Sequence, residues 1–215
     1  MYGAQRLGVA VLVAFTFMVA APLSAGILYS QPYDGTGGLF ASQNDTTGGN
    51  GNFATVYDNF TLSGGGSINT VNWTGGYFNP GPPGTITAWT VSFYTDNIGQ
   101  PGSLLYSANA AGNGNETGTS NPFSYSLTLT TPFAAGAGTQ YWLSVVPDLG
   151  FPPQWGWGTA TGGDGISYQD YFGSRSQLEN DFAFSLEGTI VPEPVSMVLV
   201  GSALASLALR RRRSA

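Results

Sequence analysis

Ser124-Tyr125-Ser126-Leu127-Thr128-Leu129 alternates hydroxyl and apolar side chains without a break. Successive residues of a β-strand point to opposite faces, so a period of two predicts a strand with one face buried and one wet. The same alternation returns upstream in Trp89-Thr90-Val91-Ser92-Phe93 and downstream in Phe182-Ala183-Phe184-Ser185-Leu186. Further strand-like runs cover 53–62, 67–78, 103–108, 141–146 and 166–172. Turn-forming clusters punctuate them: Gly64-Gly65-Gly66, residues 79–84 (Asn-Pro-Gly-Pro-Pro-Gly), Asn97-Ile98-Gly99-Gln100-Pro101-Gly102 and residues 112–118. No part of this body carries a helical face. About nine short strands with turns between them predict an all-β protein, a single antiparallel β-sandwich of jelly-roll or Greek-key style over residues 26–190. No linker supports a second globular domain.

Composition narrows the chemistry. The 215-residue chain is only 8% charged, contains 32 glycines and has no lysine, histidine or cysteine. Those absences exclude Ser-His-Asp and Cys-His catalysis, ordinary zinc sites, the common haem ligations and disulfides, and no cofactor is expected. Between Gly26 and Val191 stand eleven acidic residues and one basic residue, Arg175, a net −10. A nucleic acid needs a basic surface, and this body has none. Uncharged polysaccharide remains a compatible neighbour.

The two ends carry signals of their own. Residues 1–25 read as an export signal: Arg6, an apolar stretch from Leu7 to Ala21, then Pro22-Leu23-Ser24-Ala25 with cleavage after Ala25. The alternative is an uncleaved anchor, which also takes the chain out of the cytosol. At the other end Val191-Pro192-Glu193-Pro194 precedes an apolar run, Val195 to Leu209, and then Arg210, Arg211, Arg212 and Arg213. Proline is excluded from a helix interior, so Pro194 marks a helix start. A helix over 195–209 rises about 22 Å, short of a hydrocarbon core of about 30 Å; thinning or snorkelling arginines make up the difference. Four arginines resist translocation, which leaves the body outside the inner membrane and the arginines in the cytoplasm.

Pro192-Glu193-Pro194, the short apolar helix and the terminal arginines together resemble the C-terminal sorting tail called PEP-CTERM, found on exported proteins of Gram-negative bacteria. The resemblance spans residues 191–215. It implies processing by an exosortase, with the Pro-Glu-Pro segment as the recognition element and the body released or passed to the cell surface. The implied setting is a bacterium that makes extracellular polysaccharide or biofilm matrix. An ordinary tail anchor that is never cut is the alternative. The body also resembles a domain of other exported proteins of that type, through Asp58-Asn59-Phe60-Thr61-Leu62, Val71-Asn72-Trp73-Thr74-Gly75-Gly76-Tyr77, Phe93-Tyr94-Thr95-Asp96 with residues 99–102, Tyr141-Trp142-Leu143-Ser144 and residues 181–188. That likeness implies fold and location and assigns no chemistry.

Three groups of residues compete for a role in the body. Asp164, Asp170, Glu179 and Asp181 fall close together in sequence, with Asp96 and Asp148 near other loops. A glycosidase needs two carboxylates roughly 5–10 Å apart, and spacing along β-loops does not set that distance. The expectation is therefore no catalytic residue. Asp96 with Asn97, or Asp164 between Gly163 and Gly165, offers oxygen ligands of the kind calcium takes, but neither has the spacing of a calcium loop, and no metal is expected. Trp155 and Trp157 flank Gly156, so in an extended chain both rings share one face about 7 Å apart. They read either as core or as a carbohydrate-binding platform extended by Tyr168, Tyr171 and Phe172. Asn44, Asn59, Asn72 and Asn115 each begin an Asn-X-Thr triplet, which a bacterial setting leaves without a glycosylation role. The sequence thus points to a non-enzymatic, exported surface or matrix protein, with a carbohydrate-binding module as the alternative.

Overall fold

Alternating runs become strands wherever one face can be buried. The computed structural model describes residues 26–82, 84–191 and 202. Fourteen strands lie among them, and in chain order they are β1 (Gly26–Gln31), β2 (Leu39–Ala41), β3 (Gln43–Asp45), β4 (Gly51–Thr61), β5 (Gly66–Phe78), β6 (Ile86–Asp96), β7 (Pro101–Ala111), β8 (Phe123–Ala135), β9 (Gln140–Leu149), β10 (Gln154–Ala160), β11 (Ser167–Tyr171), β12 (Ser174–Leu178), β13 (Asp181–Phe182) and β14 (Phe184–Ile190). The export signal, the Pro-Glu-Pro segment and the apolar run 195–209 lie outside the described residues.

The strands form two sheets that pack as a β-sandwich. In sheet 1, β5 pairs with β14 and β8 along most of its length and with β10 over Gly75–Phe78; β1 extends β14, while β2 and β13 pair with β10. Sheet 2 runs β12-β11-β4-β3-β9-β6-β7, with β4 also meeting β9 directly. Every pairing is antiparallel except β3 with β9, where Asn44 and Asp45 run parallel to Asp148 and Leu149. That short pairing corrects the expectation of a wholly antiparallel sandwich.

Between the sheets lies one aromatic-rich core that takes Val56 and Phe60 from β4, Val71 and Trp73 from β5, and Trp89 and Phe93 from β6. Leu127, Leu143, Trp155, Trp157 and Leu186 join it from the other strands. Rings interlock across the gap: Trp89 stands edge-on to Trp155 at 4.9 Å, and Phe93 stacks on Phe133 at 4.3 Å. Each such pair contributes about 0.5–1.5 kcal/mol beyond area burial. The alternation in 124–129 places Tyr125, Leu127 and Leu129 inward.

Two hairpins use left-handed turns. Ile98 (φ 54°) and Gly99 (φ 76°) join β6 to β7, with the Asn97 amide donating to the Gln100 carbonyl at 2.8 Å. Phe172 (φ 48°) and Gly173 (φ 81°) join β11 to β12. Two consecutive positive φ values match the twist of the flanking strands. A β-branched residue fits that conformation poorly, and Ile98 is also 96% exposed.

Candidate functional site on the outer face of sheet 2

Trp155 and Trp157 form no exposed platform. Their rings do share one face, but it is the inner face of β10, and both are 0% exposed. The Trp155 Nε1 donates to the Tyr125 hydroxyl at 3.1 Å and the Trp157 Nε1 to the Ala183 carbonyl at 2.9 Å. Gly156 faces the other way, where a Cβ would come within about 3 Å of Phe78, Leu39 and the Phe40 amide. Both faces of β10 are therefore covered, and no sugar reaches either ring.

Tyr168 belongs elsewhere. It lies on the outer face of sheet 2, directly opposite Tyr57 across β11 and β4. Trp142 on β9 pairs with Asn59 of β4 on one side and Tyr94 of β6 on the other. Tyr168, Tyr57, Trp142 and Tyr94 thus form an aromatic row across the sheet, separate from the main core. Tyr57 meets Tyr94 at 5.3 Å and Trp142 meets Tyr168 at 5.5 Å, both edge to face. Burial is the main cause that pushes the Tyr57 hydroxyl far above its usual range, with Tyr94 and Asp170 adding to it.

Arg175 on β12 closes over this row. It grips Asp170 with two bonds, Nε to Oδ1 at 2.7 Å and Nη2 to Oδ2 at 2.8 Å, and its guanidinium lies 5.0 Å above the Tyr57 ring. The hydrogen bond from Arg175 holds the Asp170 carboxyl below the usual carboxylate range. Its Nη1 reaches the Pro101 carbonyl on β7 at 3.0 Å. Strands β12 and β7 stand at opposite ends of sheet 2, so this bond shows how far the sheet curls: its two edges meet over its own outer face.

Beside the row the curl leaves a trough. One lobe, about 210 Å³, is lined by Asn44, Asn52, Thr55, Tyr57, Thr90, Ser92, Tyr94, Ser144, Val146 and Asp148. A second, about 480 Å³, shares Asn52, Thr55 and Tyr57 and adds Phe53, Asp170, Gly173 and Arg175. Its floor is hydroxyl and amide with aromatic walls, and its one cation is already neutralised by Asp170. Such a lining suits an uncharged polyhydroxylated ligand, which needs hydrogen bonds along its edges and ring faces against its apolar side. Another hollow, about 420 Å³, crosses the outer face of sheet 1 past Ser30, Asn72, Thr74 and Ser124; of its aromatic neighbours Trp73, Tyr125 and Phe184 are buried in the core, which leaves Tyr33.

All but one of the carboxylates singled out from sequence have structural partners. Asp96 accepts from the Trp142 Nε1 at 2.9 Å and from the Gly99 amide at 3.1 Å, which caps the β6–β7 turn. Asp164 accepts from Asn59 and the Ile166 amide, Asp181 from the Gly165 amide, and Asp148 from Asn44, while Glu179 is exposed. No group of three or more His, Cys, Asp or Glu among the described residues could hold a metal ion. The four Asn-X-Thr asparagines all donate from Nδ2: Asn44 to Asp148, Asn59 to Asp164 and the Ile166 carbonyl, Asn72 to Glu187, and Asn115 to the Ser126 carbonyl.

Sequence reasoning missed the two most deeply committed acids. Asp58, with 0% exposure, accepts from the Phe182 amide at 2.6 Å and the Asn59 amide at 2.8 Å. With the Gln31 amide turned to satisfy its neighbours, the Gln31 nitrogen donates to Asp58 Oδ2 at 2.9 Å and its oxygen accepts from Tyr29. Burial raises the Asp58 carboxyl well above its usual value and pushes Tyr29 up to about 12, with Asp58 adding to the shift on Tyr29. Asp45 behaves oppositely. Burial acts to raise it, but amides of Gly48, Phe151, Thr47 and Asn50 outweigh that and hold it far below the usual range. An alternating pattern marks such positions only as polar, so nothing in the sequence separated them from surface acids.

Ala25, Pro192, Glu193, Pro194 and Arg210 to Arg213 lie outside the described residues. Among the described residues no helix is long and apolar enough to cross a membrane. The chain matches no protein-family model, no curated protein and no solved structure.

Proposed function

We propose that this chain is an exported, non-enzymatic surface or matrix protein, sorted through its C-terminal tail by an exosortase-type enzyme in an exopolysaccharide-producing bacterium. The observation that carries this is an order of signals: an export-like start over 1–25, then Pro192-Glu193-Pro194, an apolar run over 195–209 and four arginines. The arginines hold the tail's end in the cytoplasm, the apolar run pauses the chain in the inner membrane, and the acidic body waits in the periplasm. Processing beside the Pro-Glu-Pro segment then frees the body for the surface or the medium. A reporter fused after Ala215 tests the orientation. Activity on the cytoplasmic side is expected, and activity in the periplasm overturns the proposal.

A second function, glycan binding, is favoured by the trough on sheet 2 rather than by the tryptophans. Its Thr, Ser and Asn lining beside Tyr57 and Tyr94 suits a neutral polysaccharide of the surrounding matrix. Electrophoresis through gels containing neutral polysaccharides tests it. The protein should be retarded in at least one such gel, and Asn52→Trp, an exposed position shared by both lobes, should restore free mobility. Equal mobility of parent and variant in every gel rules the trough out.

A further inference from the structure

A sheet edge presents a row of unpaired backbone N–H and C=O groups that template another strand, and soluble proteins blunt it with charge, proline, bulges, shortness or a covering loop. Most edges of this sandwich are blunted. β12 has five residues and carries Arg175; β2 and β13 have three and two. β1 has six, broken by a bulge between Ile27 and Tyr29. The first half of β8 is sealed by the preceding loop, through Ser126 to Gly114 and the Thr117–Ser124 pair, and its second half contains Pro132.

β7 has little of this protection. It is eleven residues long, carries no charge and pairs only with β6, and it exposes Leu104 (57%) and Leu105 (48%). Pro101 and two irregularities, a bulge at Leu105 and a second shift between Leu104 and Pro101, blunt its first half, yet Tyr106–Ala111 stays in unbroken register with Ala88–Phe93. Beyond its first residue, where Asp96 stands opposite Pro101 and Arg175 reaches the Pro101 carbonyl, charge is also sparse along it. From Asn97 to Pro147 the sole charged residue is Glu116, whose carboxylate is occupied by the Tyr77 and Tyr125 hydroxyls at 2.6 and 2.8 Å. The other ten acidic residues of the body lie outside that span. Two bodies of charge −10 therefore approach each other with least repulsion through this flank, whose Tyr106–Ala111 stretch carries no charged side chain for a charged partner.

We infer that the chain pairs with a second copy of itself through β7, antiparallel and edge to edge, about a two-fold axis close to Ala108. The pairing joins two seven-stranded sheets into one and sets Leu105 of each copy against Ala111 of the other, with Leu104 at the margin of the paired stretch. Isologous pairing needs only the backbone of this one strand, so no second surface is required.

The absence of cysteine makes the test clean. Ser107 and Asn109 share the outer face, since Ser107 meets Ser92 at 3.0 Å and Asn109 meets Thr90 at 3.1 Å. An axis at either residue sets it against its own copy; an axis at Ala108 sets Ser107 against Asn109. The full chain carrying Ser107→Cys, Asn109→Cys or both is exported to an oxidising periplasm and run on non-reducing gels. At least one of the three should give a disulfide-linked dimer. Adding Ala111→Lys, or in a parallel series Leu104→Lys, should reduce that dimer at least tenfold, because a lysine on an edge strand would have to give up water for an apolar stretch of the partner that holds no acid. Ser176→Cys on β12 should remain monomeric. Absence of a dimer in all three, an undiminished dimer in both lysine series, or equal cross-linking from Ser176→Cys overturns the inference.

Discussion

The two edges of sheet 2 are treated in opposite ways. β12 is short, and its Arg175 is committed three times over, to Asp170, to the face of Tyr57 and to the Pro101 carbonyl. It folds inward and roofs the trough. β7 is twice as long, bare of charge, and lends only its first carbonyl to that closure. A single cationic side chain thus serves as edge protection on one side and as a clasp to the other, while the rest of β7 stays open. Edge protection is a local property of each strand, decided by a few side chains rather than by the fold.

Substitutions can break or sharpen this contrast. Trp155→Ala should have the largest effect, about 3–5 kcal/mol of stability, read as a fall in the urea midpoint. Trp155 packs on Trp89 of β6, one strand from β7, so amide exchange should quicken in β6 and β7 before β11 and β12. Simultaneous loosening of both edges would show that they do not act independently.

Asp45 comes next. Five bonds converge on it, from the amides of Thr47, Gly48, Asn50 and Phe151 and from the Asn50 side chain, and it anchors β3 in mid-sheet. Asp45→Ala should cost about 2–4 kcal/mol because buried donors lose a charged acceptor. Its folded pKa is depressed, so its contribution is complete above the unfolded carboxyl value near pH 4 and is lost as pH falls toward the folded one. Acid titration of the melting temperature should show a drop in the parent below about pH 4 that is smaller in Asp45→Asn.

Smaller effects mark the edges themselves. Arg175→Ala removes an ion pair about one-third exposed and should cost about 0.5–1 kcal/mol while raising exchange in β12. A much larger loss would make the clasp a main support of the sheet. Ile98→Asn should stabilise the β6–β7 hairpin by about 0.5–1 kcal/mol, because asparagine before glycine suits two positive φ values and a β-branched residue does not. A lower melting temperature in that variant would show that Ile98 makes contacts that compensate its backbone conformation.

Much of this architecture was legible from a period of two. The runs at 89–93 and 124–129 lie in strands with their apolar sets inward, while 182–186 is divided between β13 and β14 at Ala183, which is buried along with its neighbours. Strands without alternation were not legible. β12, Ser-Arg-Ser-Gln-Leu, is almost wholly exposed, and β10 interleaves its tryptophans with glycines whose purpose is close approach, which only the neighbouring strands reveal. Period two places Trp155 and Trp157 together but does not say which face is dry. The trough escaped notice for a different reason. Its residues come from β3, β4, β6, β9 and the β11–β12 hairpin, and Thr55, Ser92 and Ser144 read as ordinary outward hydroxyls until the sheet is seen to curl.

Both the open edge and the trough matter only if the body works outside the inner membrane. Intact-mass measurement of the protein recovered from the cell surface or medium tests this most directly. The prediction is a mature chain that begins after Ala25 and ends near Pro192-Glu193-Pro194, without the arginines at 210–213. A surface-recovered protein whose mass retains those four arginines would contradict it.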